Sequence, residues 1–390
     1  MKNFTYFNPT RVYFGIGEFN NLGTYAGKLG KKALLVKMEG YLETSGVYAR
    51  AKKLMEDAGM TVFELSGVTA NPKLTKIDEG VRMCKELGIE VVIPVGGGSC
   101  IDSAKAIAYG ALDDGDIWDF FALKRVAAAS LPIGAVSTIA ATGSEMNVNC
   151  VVTNDRNPDM ATWRKWSTHF EHSFPKFAII DPEMQKTLPQ YVTACGMADI
   201  ISHIMEPYFD SERNTPIQDA LGEGIMKTVI ASEGILADKE NLDHRANLSW
   251  AATLAINGWA DVGRAGKAWD AHTIEHDVGA MTDCAHGAGL AVVQPSWLRY
   301  LNRKDSTKFA QFARNVFGIE QGTLSDYELG EQGIDALKEK FNSWGMPVTL
   351  QDLKLSKEML PVIARKITQN PEGQELVYED VLAVLENCWE

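Results

Sequence analysis

The sequence predicts an α/β amino-terminal domain with a Rossmann-like parallel sheet, followed by an all-α carboxyl-terminal domain. Three observations carry this. Up to about residue 181, short apolar runs alternate with amphipathic stretches, the pattern of a parallel sheet covered by helices. Beyond Asp181-Pro182 the apolar residues recur at helical spacing, with few β-branched clusters. No Pro- or Ser-rich linker separates the two textures. The cut is placed at 187/188, giving domains 1–187 and 188–390, expected to abut closely around a cleft.

In the first half, residues 33–36 (ALLV), 62–65 (VFEL), 91–95 (VVIPV), 132–137 (PIGAVS) and 177–180 (FAII) read as strands. Residues 47–58 and 75–87 read as helices, the second stopped by Gly88, as a left-handed C-terminal residue requires. In the second half, residues 194–208, 217–237, 245–257, 268–281 and 325–344 have helical periodicity.

The 390 residues carry 51 acidic and 38 basic side chains, a net charge of −13. That balance excludes a general nucleic-acid binder, which needs Lys and Arg to displace phosphate counterions. No apolar run approaches the roughly 20 residues that cross a bilayer, and the opening MKNFTYFNPT lacks the apolar core of a signal peptide. The six cysteines form no C-x-x-C pair. Free thiols in a reducing cytoplasm are therefore expected.

In VVIPVGGGSCIDSAK (residues 91–105) a strand runs into Gly96, Gly97 and Gly98 and then a helix. Glycines let a backbone approach a ligand closely, and a helix start offers unpaired N–H groups to phosphate. The alternative is a tight turn with Ser99 as N-cap and Asp102 completing the capping pair. The loop is not the G-x-G-x-x-G fingerprint, and it comes after two strand–helix units. Glu39, just past the first central strand, can hold ribose hydroxyls and repel a 2′-phosphate, or be a solvated turn residue.

Asp199 and His203 are four apart, as are His272 and His276, and His286 follows ten residues later. Four-residue spacing puts each pair on one helix face. A carboxylate and several imidazoles set among Ala, Met, Ile and Gly match the ligand chemistry of a divalent transition metal, without selecting Fe²⁺ over Zn²⁺. Trp163, Trp166, Phe170 and Trp269 read either as pocket lining or as core.

These residues carry a resemblance. PTRVYFG (9–15), PVGGGSCIDSAKAIA (94–108), IAATGSEMN (139–147), ADIISHIMEPYF (198–209) and WDAHTIEHDVGAMTDCAHGAGLA (269–291) resemble the group III, iron-containing alcohol dehydrogenases, butanol dehydrogenase-like branch, essentially end to end. The resemblance implies a dehydroquinate synthase-like fold. It also implies a metal-dependent alcohol dehydrogenase or aldehyde reductase that moves hydride between NAD(P)H and a small alcohol or aldehyde. It makes Asp199, His203, His272 and His286 the metal ligands and His276 a non-ligand facing the site. Gly97, Gly98, Ser99, Asp102, Thr138, Thr142 and Lys165 take the nucleotide side, with Lys165 placed by anchoring at Asp181-Pro182. Iron is implied, with zinc possible. Glu39 stands where NAD(H)-using members of the wider family have an aspartate, which favours NAD(H) over NADP(H). A homodimer is expected. The alternatives are a dehydroquinate synthase-like lyase and a glycerol dehydrogenase-like polyol oxidoreductase.

Overall fold

The computed structural model describes residues 1–40, 42–265, 269–371 and 375–390. The expected helix over 268–281 begins at Ala268, outside the described residues; its described part starts at Asp270. The strands are β1 (Arg11–Phe14), β2 (Lys32–Met38), β3 (Thr61–Val68), β4 (Val91–Gly96), β5 (Gly134–Ser137), β6 (Asn149–Asn154), β7 (Arg164–His169) and β8 (Phe177–Ile180). The helices of the first half are α1 (Leu22–Ala26), α2 (Val47–Asp57), α3 (Leu74–Leu87), α4 (Gly98–Gly110) and α5 (Trp118–Phe121). Those that follow are α6 (Gln190–Tyr208), α7 (Pro216–Ala231), α8 (Leu242–Ile256), α9 (Asp270–Thr282), α10 (His286–Lys304), α11 (Thr307–Phe317), α12 (Asp326–Ser343), α13 (Leu360–Gln369) and α14 (Tyr378–Asn387).

The chain divides into two compact units, and the division is not a single cut. One unit holds Phe7–Pro189 together with Asp238–Thr253, so most of α8 packs with the sheet-bearing half. The other holds Met1–Tyr6, Gln190–Ala237 and Leu254–Glu390. Gln185 donates to Ser249 at 2.7 Å and Thr253 to buried Glu145 at 2.6 Å, tying α8 to the first unit by polar side chains. Hydrophobic periodicity reports that a helix exists, not which core it joins.

In the first unit, six parallel strands run in the order β1-β8-β5-β4-β2-β3. Side chains alternate between faces along each strand. Leu34 and Val36 join one apolar cluster with α3 and α4, and Ala33 and Leu35 join another with α1 and α2. Burial on both sides explains why these strands read as unbroken apolar runs. Strand β2 lies between β3 and β4. The chain order therefore reverses there, and the carboxyl ends of β2 and β4 flank the crevice where such sheets bind ligands.

Every expected strand is present. The sequence reading missed β1 and the antiparallel pair β6–β7, which places Lys165 opposite Thr153. In the second unit α9, α10, α13 and α14 share one apolar core built on Ala271, Ile274, Val278, Val293, Ile363 and Leu385. No described helix is long and apolar enough to cross a membrane.

Candidate metal and nucleotide sites

Helix α6 places Asp199 and His203 one turn apart, both almost fully buried. Small residues let the other helices come close. A Cβ added to Gly287 would lie 2.0 Å from the Cys195 carbonyl oxygen, so the first turn of α10 rests directly on the α6 backbone. A Cβ on Gly289 would lie 2.7 Å from Glu275 Cγ on α9. The HGAGL segment thereby delivers His286 to Asp199, and Asp283, left-handed at φ 52°, closes α9 just before it.

The result is convergent. Asp199 Oδ1 lies 3.4 Å from His203 Nε2, 3.6 Å from His286 Nε2 and 3.9 Å from His272 Nε2. Asp199 Oδ1 and His272 Nε2 are buried without a hydrogen-bond partner among the described residues. Ligands held at about 2.0–2.2 Å around a tetrahedral ion sit about 3.4 Å from one another, close to this spacing. Orphaned buried polar atoms are costly, and a divalent cation satisfies all of them at once. Asp199, His272 and His286 bring donor atoms within 4.8 Å of one another and fit such an ion, with His203 Nε2 beside Asp199 Oδ1.

Electrostatics follow from burial and proximity. Burial alone would raise the Asp199 carboxyl, but the His203, His272 and His286 side chains around it hold it down to about 2. Burial pushes His203 down to about 4 despite Asp199. Burial also opposes the charged form of His272, yet Asp199 and Glu206 raise it to about 9. The ring of His276, on the same face of α9, lies 5.6 Å from that of His286. Trp269 packs edge-on against His203 at 5.8 Å and His272 at 5.2 Å. The other three tryptophan and phenylalanine candidates lie in the first unit. There Trp166 stacks on Trp118, Phe170 packs edge-on against Tyr109 and Phe120, and the indole N–H of Trp163 donates to Asn157 O. Trp166 and Phe170 are thus partly buried residues packed against the core of the first unit.

In the first unit, α4 starts at the carboxyl end of β4. Its N-cap is Gly97, with no side-chain cap, and Ser99 lies inside the helix. The capping alternative is therefore corrected: Asp102 accepts from Ser144 Oγ at 2.6 Å and Val151 N at 3.0 Å, across the unit. Burial raises its carboxyl, opposed by Lys105, these hydrogen bonds and Lys165. Gly97 N donates to Met38 Sδ at 3.2 Å, joining the ends of β4 and β2. Cβ atoms at Gly97 and Gly98 would come within 2.6 Å of Ile139 Cγ2 and 2.4 Å of Thr142 Oγ1. Thr138 donates its N–H to Gly96 O at 3.1 Å, and its buried hydroxyl has no partner among the described residues. Lys165 is buried on β7. Glu39 is exposed after β2, its N–H on Val68 O at 2.9 Å. An uncapped helix start, an orphaned hydroxyl and a glycine turn at the sheet's reversal point fit a dinucleotide phosphate.

Sequence reasoning missed Lys105. It is wholly buried and donates to Ser144 Oγ (2.7 Å), Asn147 Oδ1 (3.0 Å) and Asn149 O (2.7 Å), fastening the 144–149 segment to α4. Its place in α4, one turn beyond Asp102, was the available signal.

Comparison with known proteins identifies the family. Residues 9–182 match the iron-containing alcohol dehydrogenase model, and residues 193–389 match the model of the carboxyl-terminal region of the Fe-containing alcohol dehydrogenase family. The chain is 35% identical to NADH-dependent butanol dehydrogenase A of Clostridium acetobutylicum over 396 residues, covering 100% of both. It is 32% identical to an NADPH-dependent aldehyde reductase of Escherichia coli, over 95% of this chain and 94% of that one. The crystal structure of NADH-dependent butanol dehydrogenase A from Thermotoga maritima superposes with a TM-score of 0.94 at 38% identity, covering 100% of this chain and 99% of that one. The lyase and polyol alternatives are not favoured by these relatives. With family models spanning both halves and relatives matched end to end, the chain belongs to the iron-containing alcohol dehydrogenase family and is an oxidoreductase of that family.

Proposed function

We propose that this protein reduces a short-chain aldehyde of the butanal type to its primary alcohol with NADH, and runs the reverse oxidation. The observation that carries the reading is the approach of three imidazole Nε2 atoms to one orphaned carboxylate oxygen of Asp199. When bound, a divalent ion, iron by family and zinc as the alternative, supplies Lewis acidity to the substrate oxygen, and the dinucleotide supplies the hydride.

The protein's own residues divide the remaining work. Asp199, His203, His272 and His286 hold the ion. The first turn of α4 at Gly97, Gly98 and Ser99 binds the pyrophosphate, with Thr138, Thr142 and Lys165 orienting the nucleotide. Asp102 is fixed by Ser144 and Val151 beneath that turn. Glu39 accepts hydrogen bonds from ribose hydroxyls and repels a 2′-phosphate. His276 gives a proton to the developing alkoxide in reduction and takes it back in oxidation, a task suited to imidazole. A cytoplasmic homodimer completes the proposal.

The test is NADH consumption by iron-loaded protein against a series of short-chain aldehydes, with NADPH in parallel. Consumption of NADH with butanal, at a higher kcat/KM than with NADPH, supports the reading. A strong NADPH preference overturns its cofactor half, and no oxidation of either nucleotide overturns the whole.

A further inference from the structure

We infer that Glu206 is a positioning residue for the metal centre: from α6 it both caps the amino terminus of α9 and fixes the His272 ring, so that Nε2 points at Asp199. The inference rests on the metal reading above. His272 is the third residue of α9, and the first four N–H groups of a helix have no intrahelical acceptor. The residue in the N-cap position, Trp269, provides no side-chain cap, and its indole cannot accept a hydrogen bond. Glu206 fills that gap from another helix. Its Oε1 accepts the His272 backbone N–H at 3.0 Å and meets His272 Nδ1 at 2.9 Å.

One carboxylate oxygen therefore sets three things. It places a negative charge at the positive end of α9. It fixes the proton of His272 on Nδ1, which leaves the Nε2 lone pair for an ion. It also ties the ligand-bearing first turn of α9 to the helix that carries Asp199 and His203. Glu206 lies seven residues, two helical turns, beyond Asp199, so one rigid element spaces the ligands and the brace alike. A carboxylate behind a ligating imidazole strengthens the imidazole as a donor, and losing it costs about ten- to a hundred-fold in metal affinity. In the His203 ring, by contrast, Nδ1 is buried without a partner among the described residues, so the three imidazoles are not braced alike.

The deciding variant is Glu206→Gln, which keeps the size of the side chain and an oxygen able to accept both hydrogen bonds but removes the charge. Full-length protein, parent and variant, is loaded with Co²⁺. Its visible absorption is recorded, and release to excess chelator is timed, with far-UV circular dichroism confirming the fold. We expect Glu206→Gln to fold as the parent does, to shift the cobalt bands, and to release the ion about tenfold faster. Glu206→Ala is expected to release it faster still. If the parent binds Co²⁺ and Glu206→Gln matches its spectrum and release rate, the positioning role is wrong while the metal site stands. If the parent binds no Co²⁺, both fall.

Discussion

His203 Nε2 stands 3.4 Å from Asp199 Oδ1, one turn along the same helix, with both side chains sealed from solvent. The surrounding imidazoles hold Asp199 anionic against the effect of burial, and burial holds His203 neutral. Two electron-rich atoms at that separation, joined by no hydrogen bond, favour a cation near them. The site's chemistry follows from that pairing.

Removing a ligand should empty the centre. Asp199→Asn and His286→Ala are expected to lose bound iron and to lower kcat/KM by at least about a hundred-fold, beyond the effect of a bracing residue. Metal content and turnover, measured on the same preparations, check this; a variant that keeps full metal and full activity contradicts it.

His276 should behave differently. If it relays the proton, His276→Ala retains the ion but loses about a hundred-fold in kcat, within the usual range of general acid–base catalysis. The pH–rate profile should lose one limb. An unchanged rate and profile would remove His276 from the mechanism.

Gly98 tests the nucleotide turn. The Cβ of Gly98→Ala would lie 2.4 Å from Thr142 Oγ1, so the turn or the 138–147 segment must shift, at a cost of about 1–3 kcal/mol. The expected signature is a raised KM for NADH together with a lower melting temperature. A KM and melting temperature equal to the parent's would show that the turn does not need glycine there.

Glu39 tests cofactor choice. Glu39→Ser removes the charge expected to face a 2′-phosphate, and should shift the NADPH-to-NADH ratio of kcat/KM upward by about tenfold, the scale of a modest charge–charge term. No shift would leave Glu39 as a solvated turn residue.

Lys105 tests the buried network. Lys105→Met takes the Lys105 donor from Asn149 O, leaves Asn147 Oδ1 with only the Asn149 N–H, and removes the cation 3.9 Å from Asp102. Breaking a buried pair from one side costs about 3–5 kcal/mol, readable as a lower denaturant midpoint. An unchanged midpoint would mean the segment is held by other contacts.

How much of this was legible follows from physical range. The strands β2, β4, β5 and β8 are buried on both faces, so their apolar runs stand out in the sequence; the edge strand β3 is only partly buried but keeps Val62, Leu65 and Val68 in the core. The pair β6–β7 escaped because Asn149, Asn154, Arg164, Lys165 and His169 break the apolar alternation. Helix α10 was missed as well; Pro295 sits in the middle of it, and proline ordinarily ends a helical pattern. Four-residue spacing revealed Asp199 with His203, because that relation is local. The contacts of Glu206 with His272, and of Glu275 with His286 Nδ1, depend on how separate helices dock. The same holds for α8, whose periodicity is plain but whose unit is set by Ser249 and Thr253.

The most direct test of the central claim is the stoichiometry of metal-dependent turnover. Metal-free protein is titrated with Fe²⁺ under anaerobic conditions while NADH oxidation by butanal is followed. Negligible activity is expected without metal, with a rise that saturates at about one ion per chain, as a single four-ligand site requires. Asp199→Asn should show no rise. Full turnover by the metal-free protein, or an Asp199→Asn titration identical to the parent's, would contradict it.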